Sequence, residues 1–108
     1  MKIYLLGPVT DATDETVATF VQAERQLKAD GHTVVNILWL NGWHNEPAHA
    51  QAACRINYMA RCEGVFVMPD WRTDKIAEME FAVAAITGMQ ILFANGVPKP
   101  RNIQFIIP

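Results

Sequence analysis

Apolar residues in this chain gather in short runs of strand length, each bounded by polar or turn-forming residues. The first run ends at Gly7-Pro8 and the third ends at Pro69, where the missing backbone donor stops a strand. Runs that are apolar on both faces are typical of buried parallel strands. The predicted strands are Lys2–Leu6, His32–Asn36, Gly64–Met68 and Gln90–Ala94, with an optional fifth strand at Ile103–Ile107.

The segments between these runs repeat their apolar residues at helical spacing. In the first segment Val17, Phe20 and Val21 share one face. Its start, Asp11–Thr16, holds cap-type residues and acidic side chains, which suit the positive end of a helix. The first predicted helix ends at about Ala29, and the second runs from Ala48 to Arg61. The third runs from about Asp74 to Thr87, with Gly88 as C-cap.

Strands and helices therefore alternate as β-α-β-α-β-α-β with short joints. This order favours right-handed parallel crossovers. It predicts an α/β three-layer sandwich with a four- to five-stranded parallel sheet, flavodoxin-like or Rossmann-like. We expect residues 1–108 to form a single domain, as is normal for this length. No Gly-x-Gly-x-x-Gly follows the first strand, so a dinucleotide site is not favoured.

Composition and charge narrow the classes of function. A net charge of −2 and nine scattered basic residues provide no electrostatic basis for binding nucleic acid or a membrane surface, which favours a small-molecule ligand. No apolar run reaches the roughly 20 residues of a membrane span, and the start lacks the pattern of a signal peptide, so we expect a cytoplasmic protein. Cys54 and Cys62, about two turns apart on one predicted helix, are interpreted as buried free thiols.

The chemically distinctive residues concentrate between Met68 and Gly88. Asp70, Trp71 and Asp74 follow the third predicted strand, and Glu80 lies on the helix behind them. In an open α/β sheet this carboxyl edge is where ligands bind. Glu80 shares the buried helical row of Ile76 and Ala84, whereas Glu78 is expected to face water.

Each of these residues also has a purely structural interpretation. Glu80 is then a helix residue satisfied by a neighbouring hydrogen bond, Asp74 caps its helix, and Asp70 forms a turn. Trp71 either covers the core or offers a face for stacking on a base or a sugar. His44 and His49 are too isolated to predict a metal site, and no cofactor is expected. The long predicted loop from Ile37 to Pro47 holds Trp39 and Trp43, and long loops in compact domains are often functional.

Two segments resemble the nucleoside 2-deoxyribosyltransferase superfamily, and within it a small branch common in phages and bacteria. Ile3–Thr10 is similar to the superfamily's first strand and its Gly-Pro turn. Cys62–Trp71, with Ala77, Glu80, Ala84 and Gly88 after it, is similar to its third strand, tryptophan loop and catalytic helix.

The resemblance implies roles for individual residues. Glu80 matches the glutamate that attacks the anomeric carbon of a nucleoside, releasing the base and leaving a glycosyl-enzyme ester. Tyr4 matches the tyrosine that orients this nucleophile. Asp74, six residues before Glu80, matches an aspartate that binds a sugar hydroxyl, which points to an unphosphorylated sugar because an aspartate repels phosphate. Gly7, Pro8, Asp70 and Trp71 are assigned to the substrate side of the site.

The sequence departs from the superfamily at two positions. Ile76 stands where glycine is usual, and its branched side chain is expected to crowd the pocket. Arg55 stands where an acidic residue is frequent.

Two functional hypotheses follow. In the first, the protein is a nucleoside or nucleotide N-glycosidic-bond enzyme, transferase or hydrolase, and a homodimer or larger homo-oligomer like members of the superfamily. It requires Tyr4 and Glu80 within hydrogen-bonding distance in an open cleft beside Asp74, and a Glu80 sealed in packing with no cavity beside it contradicts it. In the second, the protein has lost turnover and binds a nucleotide-like ligand, or a partner through the Trp39–His44 loop.

Overall fold

A computed structural model describes residues 1–40 and 42–99 of the chain. Its strands are β1 (Lys2–Leu6), β2 (Thr33–Val35), β3 (Gly64–Val67) and β4 (Gln90–Phe93), and its helices are α1 (Asp14–Ala29), α2 (Ala48–Ala60) and α3 (Lys75–Ile86). Single turns of 3-10 helix occur at Ile37–Trp39 and Trp71–Thr73. The predicted alternation of strands and helices is confirmed, and the optional strand at Ile103–Ile107 lies outside the described residues.

The four strands form one parallel sheet in the order β2-β1-β3-β4. This confirms the predicted α/β class. The chain moves outward from β1 to β2, then crosses back over β1 to β3. Right-handed connections therefore place α1 on one face of the sheet and α2 with α3 on the other. The strand order reverses between β1 and β3, which is the point where ligands bind in open α/β sheets.

The core is centred on β1, because residues Ile3 to Leu6 have no exposed surface. Phe20 of α1 packs beneath the end of this strand, and its Cζ atom lies 2.8 Å from the point where a Cβ atom at Gly7 would stand. Met68, which follows β3, approaches the same point with its Cβ atom at 2.9 Å. Gly7 is thus a packing requirement, since any side chain there would collide with both neighbours.

The element boundaries differ slightly from the prediction. Helix α1 begins at Asp14 because the Thr13 side chain accepts a hydrogen bond from the Thr16 amide and caps it. Helix α2 ends at Ala60, so Cys62 lies beyond the helix rather than on it. Both cysteines are free thiols, Cys62 buried and Cys54 half-buried.

Candidate functional site

Asp74 joins the loops that follow β1 and β3. Its Oδ1 atom caps α3 by accepting hydrogen bonds from the amides of Ile76 at 2.9 Å and Ala77 at 3.3 Å. Its Oδ2 atom accepts from the amide of Thr10 at 3.0 Å and from the Thr10 hydroxyl at 2.8 Å. Although burial opposes ionisation, these Thr10 hydrogen bonds and the charge of Arg55 hold the pKa of Asp74 below its usual range. Asp74 is therefore an ionised cap and a bridge between two loops.

Glu80 lies one and a half turns along α3, on the face turned toward the sheet. Its side chain has no exposed surface, and its Oε2 atom accepts a hydrogen bond from the hydroxyl of Tyr4 on β1. Burial raises the pKa of Glu80 to about 7, and the opposing effects of Arg55 and Tyr4 only partly offset it. Burial also raises the pKa of Tyr4 well above its usual range, with the Glu80 charge adding to the effect. The raised pKa keeps the Tyr4 hydroxyl protonated, so that it donates the hydrogen bond to Glu80.

Arg55 of α2 connects the two carboxylates. Its Nη2 atom lies 2.8 Å from Glu80 Oε1, and its Nη1 atom lies 3.4 Å from Asp74 Oδ2. Nη1 also donates to the Thr10 hydroxyl at 3.0 Å, and Nη2 approaches the Gly7 carbonyl at 3.5 Å. Although burial favours the neutral form, the charge of Glu80 raises the pKa of Arg55 above its usual range. The cluster of Tyr4, Arg55, Asp74 and Glu80 is therefore one network, here called the carboxylate cluster.

The loop between β2 and α2 supports the guanidinium of Arg55. Trp43 is buried in this loop, its indole nitrogen donates to the Ile37 carbonyl at 3.0 Å, and its ring centroid lies 5.8 Å from Arg55 Cζ. This is within the distance of a cation–π contact. The long loop that was predicted to be functional thus places the aromatic ring of Trp43 against Arg55. Trp39, in contrast, is half-exposed and donates to Glu24 at 3.0 Å, away from the cluster.

A cavity of about 220 Å³ adjoins the cluster on the Asp74 side. It is lined by Pro8, Thr10, Asp11, Thr73 and Asp74. Glu80 lines neither this cavity nor three others of about 220 to 540 Å³ in the described part of the chain. The expected contact between Tyr4 and Glu80 is present, but Glu80 is sealed and the cavity beside Asp74 stops short of it. The open cleft that the enzymatic hypothesis requires at Glu80 is therefore absent from the resting structure. Arg55, which contacts both Asp74 and Glu80, occupies the position between the Asp74 cavity and Glu80.

The remaining predicted substrate residues surround the same loops. Pro8 lines the Asp74 cavity and a neighbouring cavity of about 220 Å³. Asp70 is exposed and has a left-handed backbone with φ of 62°, as a turn-forming aspartate tolerates. Asp70 and Trp71 both line a third cavity of about 540 Å³, to which Gly96 and Val97 also contribute. The substrate roles of these residues stay predictions.

Trp71 contributes mainly to packing. Only 6% of its surface is exposed, and its ring stacks at 4.6 Å on Phe81 of α3. The Cζ atom of Arg72 lies 4.9 Å from the centroid of the Trp71 ring. This geometry agrees with the interpretation of Trp71 as a cover of the core, although Trp71 also contributes to the lining of the third cavity.

The other residues of α3 behave as their positions imply. Glu78 is exposed, as predicted from its helical position. Ile76 is half-buried and does not line the Asp74 cavity, so it does not crowd that space. Its amide, rather than its side chain, contacts the site by donating to Asp74.

Sequence reasoning did not identify the roles of Arg55, Thr10 and Trp43. For Arg55 a signal was present, because it lies four residues before Met59 on the buried row of α2. A charge on a buried row requires a partner of opposite charge. The identity of that partner depends on how α2 packs against α3, which no local pattern reveals.

Among residues 1–40 and 42–99, no three His, Cys, Asp or Glu side chains are placed to hold a metal ion. The same part of the chain contains no helix long and apolar enough to cross a membrane.

Comparison with known proteins gives one family and one fold neighbour. The model of a family described as a domain of unknown function (DUF4406) matches residues 1–93. The solved structure of a 2-deoxyribosyltransferase from the psychrotolerant bacterium Bacillus psychrosaccharolyticus is similar with a TM-score of 0.70 and 18% identity, over 92% of this chain and 77% of that one. That enzyme is described as a biocatalyst for the synthesis of nucleosides. No curated protein matches the sequence. At this identity the neighbour shows a shared fold.

Proposed function

The chain belongs to the DUF4406 family, and we propose that it cleaves or transfers the N-glycosidic bond of a nucleoside or nucleotide. Glu80 is the nucleophile, Tyr4 orients it, and Asp74 binds a sugar hydroxyl. The observation that carries the proposal is the buried hydrogen bond from Tyr4 to Glu80, made beside Asp74 at the point where the strand order reverses. The fold of a 2-deoxyribosyltransferase supports it.

The chemistry needs one free lone pair on an ionised carboxylate. The Glu80 carboxylate attacks the anomeric carbon, the glycosidic bond breaks, and the base leaves with the bonding electrons and takes up a proton. The resulting ester between sugar and Glu80 is then opened by a second base in transfer or by water in hydrolysis. The Tyr4 hydroxyl fixes Oε2, so attack takes place from Oε1, which Arg55 occupies in the resting state. Turnover therefore requires that Arg55 leave Glu80.

The ionisation of Glu80 sets the pH range of this reaction. A pKa of about 7 makes the carboxylate the minor form in acid and the major form in mild base. Base release is expected to rise through neutral pH.

A second candidate is a binding protein without turnover. The observation that favours it is the double contact of Arg55, which occupies the proposed nucleophile and approaches the proposed sugar ligand within 3.4 Å. A protein that keeps this arrangement when its ligand is bound has no free nucleophile.

One experiment separates the two candidates. The pure protein is incubated with a panel of deoxynucleosides and their 5′-monophosphates, with and without an acceptor base, and released base is measured by chromatography. The enzymatic proposal predicts release that is lost in Glu80→Gln and kept in Glu78→Gln, a matched change at an exposed position of the same helix. A ligand that raises the melting temperature without any release supports the binding protein, because a ligand that binds only the folded state stabilises it.

A further inference from the structure

Arg55 is the least satisfied polar side chain of the carboxylate cluster. Its side chain has no exposed surface, yet its Nε atom has no hydrogen-bond partner. Within residues 1–40 and 42–99 no other buried side-chain nitrogen or oxygen lacks a partner. A buried donor without an acceptor is unfavourable, so native structures seldom retain one without a reason. The guanidinium thus has capacity for an acceptor that the described part of the protein does not supply.

The position of Arg55 makes it the first cluster residue that a ligand must move. A ligand in the cavity beside Asp74 contacts Thr10 and Asp74, both of which are hydrogen-bonding or ion-pairing partners of Arg55 Nη1. Glu80 lies behind Nη2. A ligand that reaches Glu80 must therefore break at least the contact between Arg55 and Glu80.

Breaking that contact leaves a buried cation with fewer partners. Removing one partner of a buried ion pair is strongly unfavourable unless another group replaces it. A guanidinium carries only donors, so the replacement must be an acceptor, and an amino group cannot serve. Two parallel acceptor oxygens suit its fork best.

We propose that Arg55 determines the specificity of the site: a ligand gains access to Glu80 only if it carries oxygen acceptors that replace the carboxylates as partners of the guanidinium. This inference rests on the proposed function for the class of ligand, a nucleoside or nucleotide. The acceptor is either a carbonyl edge of the base or a phosphate. An acidic residue at this position would impose the reverse preference, for an amino group on the ligand.

Asp74 does not exclude a phosphate in this arrangement. The resemblance to the superfamily implied an unphosphorylated sugar because Asp74 is negative. In the structure Asp74 faces Arg55 at 3.4 Å, so a cation stands in the same site and offsets its repulsion. Both sources of acceptor oxygen are therefore tested.

The test measures binding by calorimetry with three probes. Deoxyuridine and deoxycytidine differ by an oxo group against an amino group on the base, and deoxyuridine 5′-monophosphate adds a phosphate. The proteins are the full chain, Arg55→Lys, which keeps the charge but loses the fork, and Arg61→Lys, a control at an exposed position just after the same helix.

We expect the full chain to bind deoxyuridine, or its monophosphate, at least tenfold more tightly than deoxycytidine. A preference for deoxyuridine assigns the acceptor to the base, and a gain confined to the monophosphate assigns it to the phosphate. In Arg55→Lys the affinity for the preferred probe should exceed that for deoxycytidine by less than about threefold. In Arg61→Lys the affinity ratio of the full chain should be unchanged. The inference is overturned by equal binding of the three probes, by a preference that persists in Arg55→Lys, or by the absence of binding.

Base release, measured on the same samples, keeps this inference distinct from the proposed function. If the binding preference depends on Arg55 and no base is released, the inference stands and the enzymatic proposal is wrong. Base release without any preference retains the enzyme and removes the inference.

Discussion

Arg55 and Glu80 form an ion pair in which neither side chain has any exposed surface, with Arg55 Nη2 2.8 Å from Glu80 Oε1. The pair joins α2 to α3. Tyr4 connects it to strand β1, and Asp74 connects it to the loop that follows β1. Such a pair contributes little net stability compared with apolar packing, but the loss of one partner is costly. The contact therefore links the two helices in the resting structure, and the proposed reaction requires that it open.

Replacing Arg55 is expected to destabilise the fold. Arg55→Gln leaves Glu80 and Asp74 buried without their cation, which costs about 3–5 kcal/mol of unfolding free energy. Chemical denaturation measures the loss. Arg61→Gln, at an exposed position, should change stability by less than about 0.5 kcal/mol. Equal, small losses in both variants would show that the buried pair is not maintained in solution.

Stability should depend on pH through Glu80. Its pKa is raised from 4.5 to about 7, so the folded state binds a proton more tightly than the unfolded state. The corresponding stability is fully present below pH 4.5 and is lost as pH rises through about 7, on the order of 3 kcal/mol in all. Unfolding free energies of the wild type and Glu80→Gln, compared between pH 5 and 8, isolate this contribution. Parallel curves for the two proteins would mean that the pKa of Glu80 is not raised.

The hydrogen bond from Tyr4 should set the pH profile of the reaction. The Tyr4 hydroxyl favours the ionised form of Glu80, so its removal in Tyr4→Phe raises the pKa of Glu80 further. The midpoint of base release against pH then moves to higher pH. Tyr58→Phe, a half-buried position on α2, serves as the matched control and should keep the wild-type midpoint. A midpoint unchanged in Tyr4→Phe argues against the orienting role.

The fold was more predictable from sequence than the site. The four described strands and three helices were expected within a few residues of their observed ends, because Gly7-Pro8 and Pro69 punctuate runs with a clear period. Glu80 and Tyr4 meet as the resemblance implied. Arg55 was seen only as a departure from the superfamily, because its partners lie 19 and 25 residues away in sequence. Such pairing depends on the packing of α2 beside α3, which helical periodicity does not specify.

Gly7 should tolerate no side chain. A Cβ atom there would stand 2.8 Å from Phe20 Cζ and 2.9 Å from Met68 Cβ, so Gly7→Ala is expected to cost about 1–3 kcal/mol by overpacking. In a Phe20→Leu background part of this cost should disappear, because the shorter side chain removes one of the two collisions. Denaturation of the four proteins in this cycle measures the coupling. If the stability losses of Gly7→Ala and Phe20→Leu simply add in the double variant, the collision with Phe20 is not the source of the Gly7→Ala cost.

The central claim is that Glu80 is the nucleophile, and a covalent intermediate tests it most directly. The protein is mixed with a deoxynucleoside that the panel identifies as a substrate, quenched in acid, digested and analysed by mass spectrometry. We predict a deoxyribosyl group, the nucleoside without its base, on the peptide that contains Glu80, present in Glu78→Gln and absent in Glu80→Gln. Two results would contradict the claim. One is base release that leaves no adduct on Glu80 and that continues in Glu80→Gln. The other is no base release from any deoxynucleoside or nucleotide.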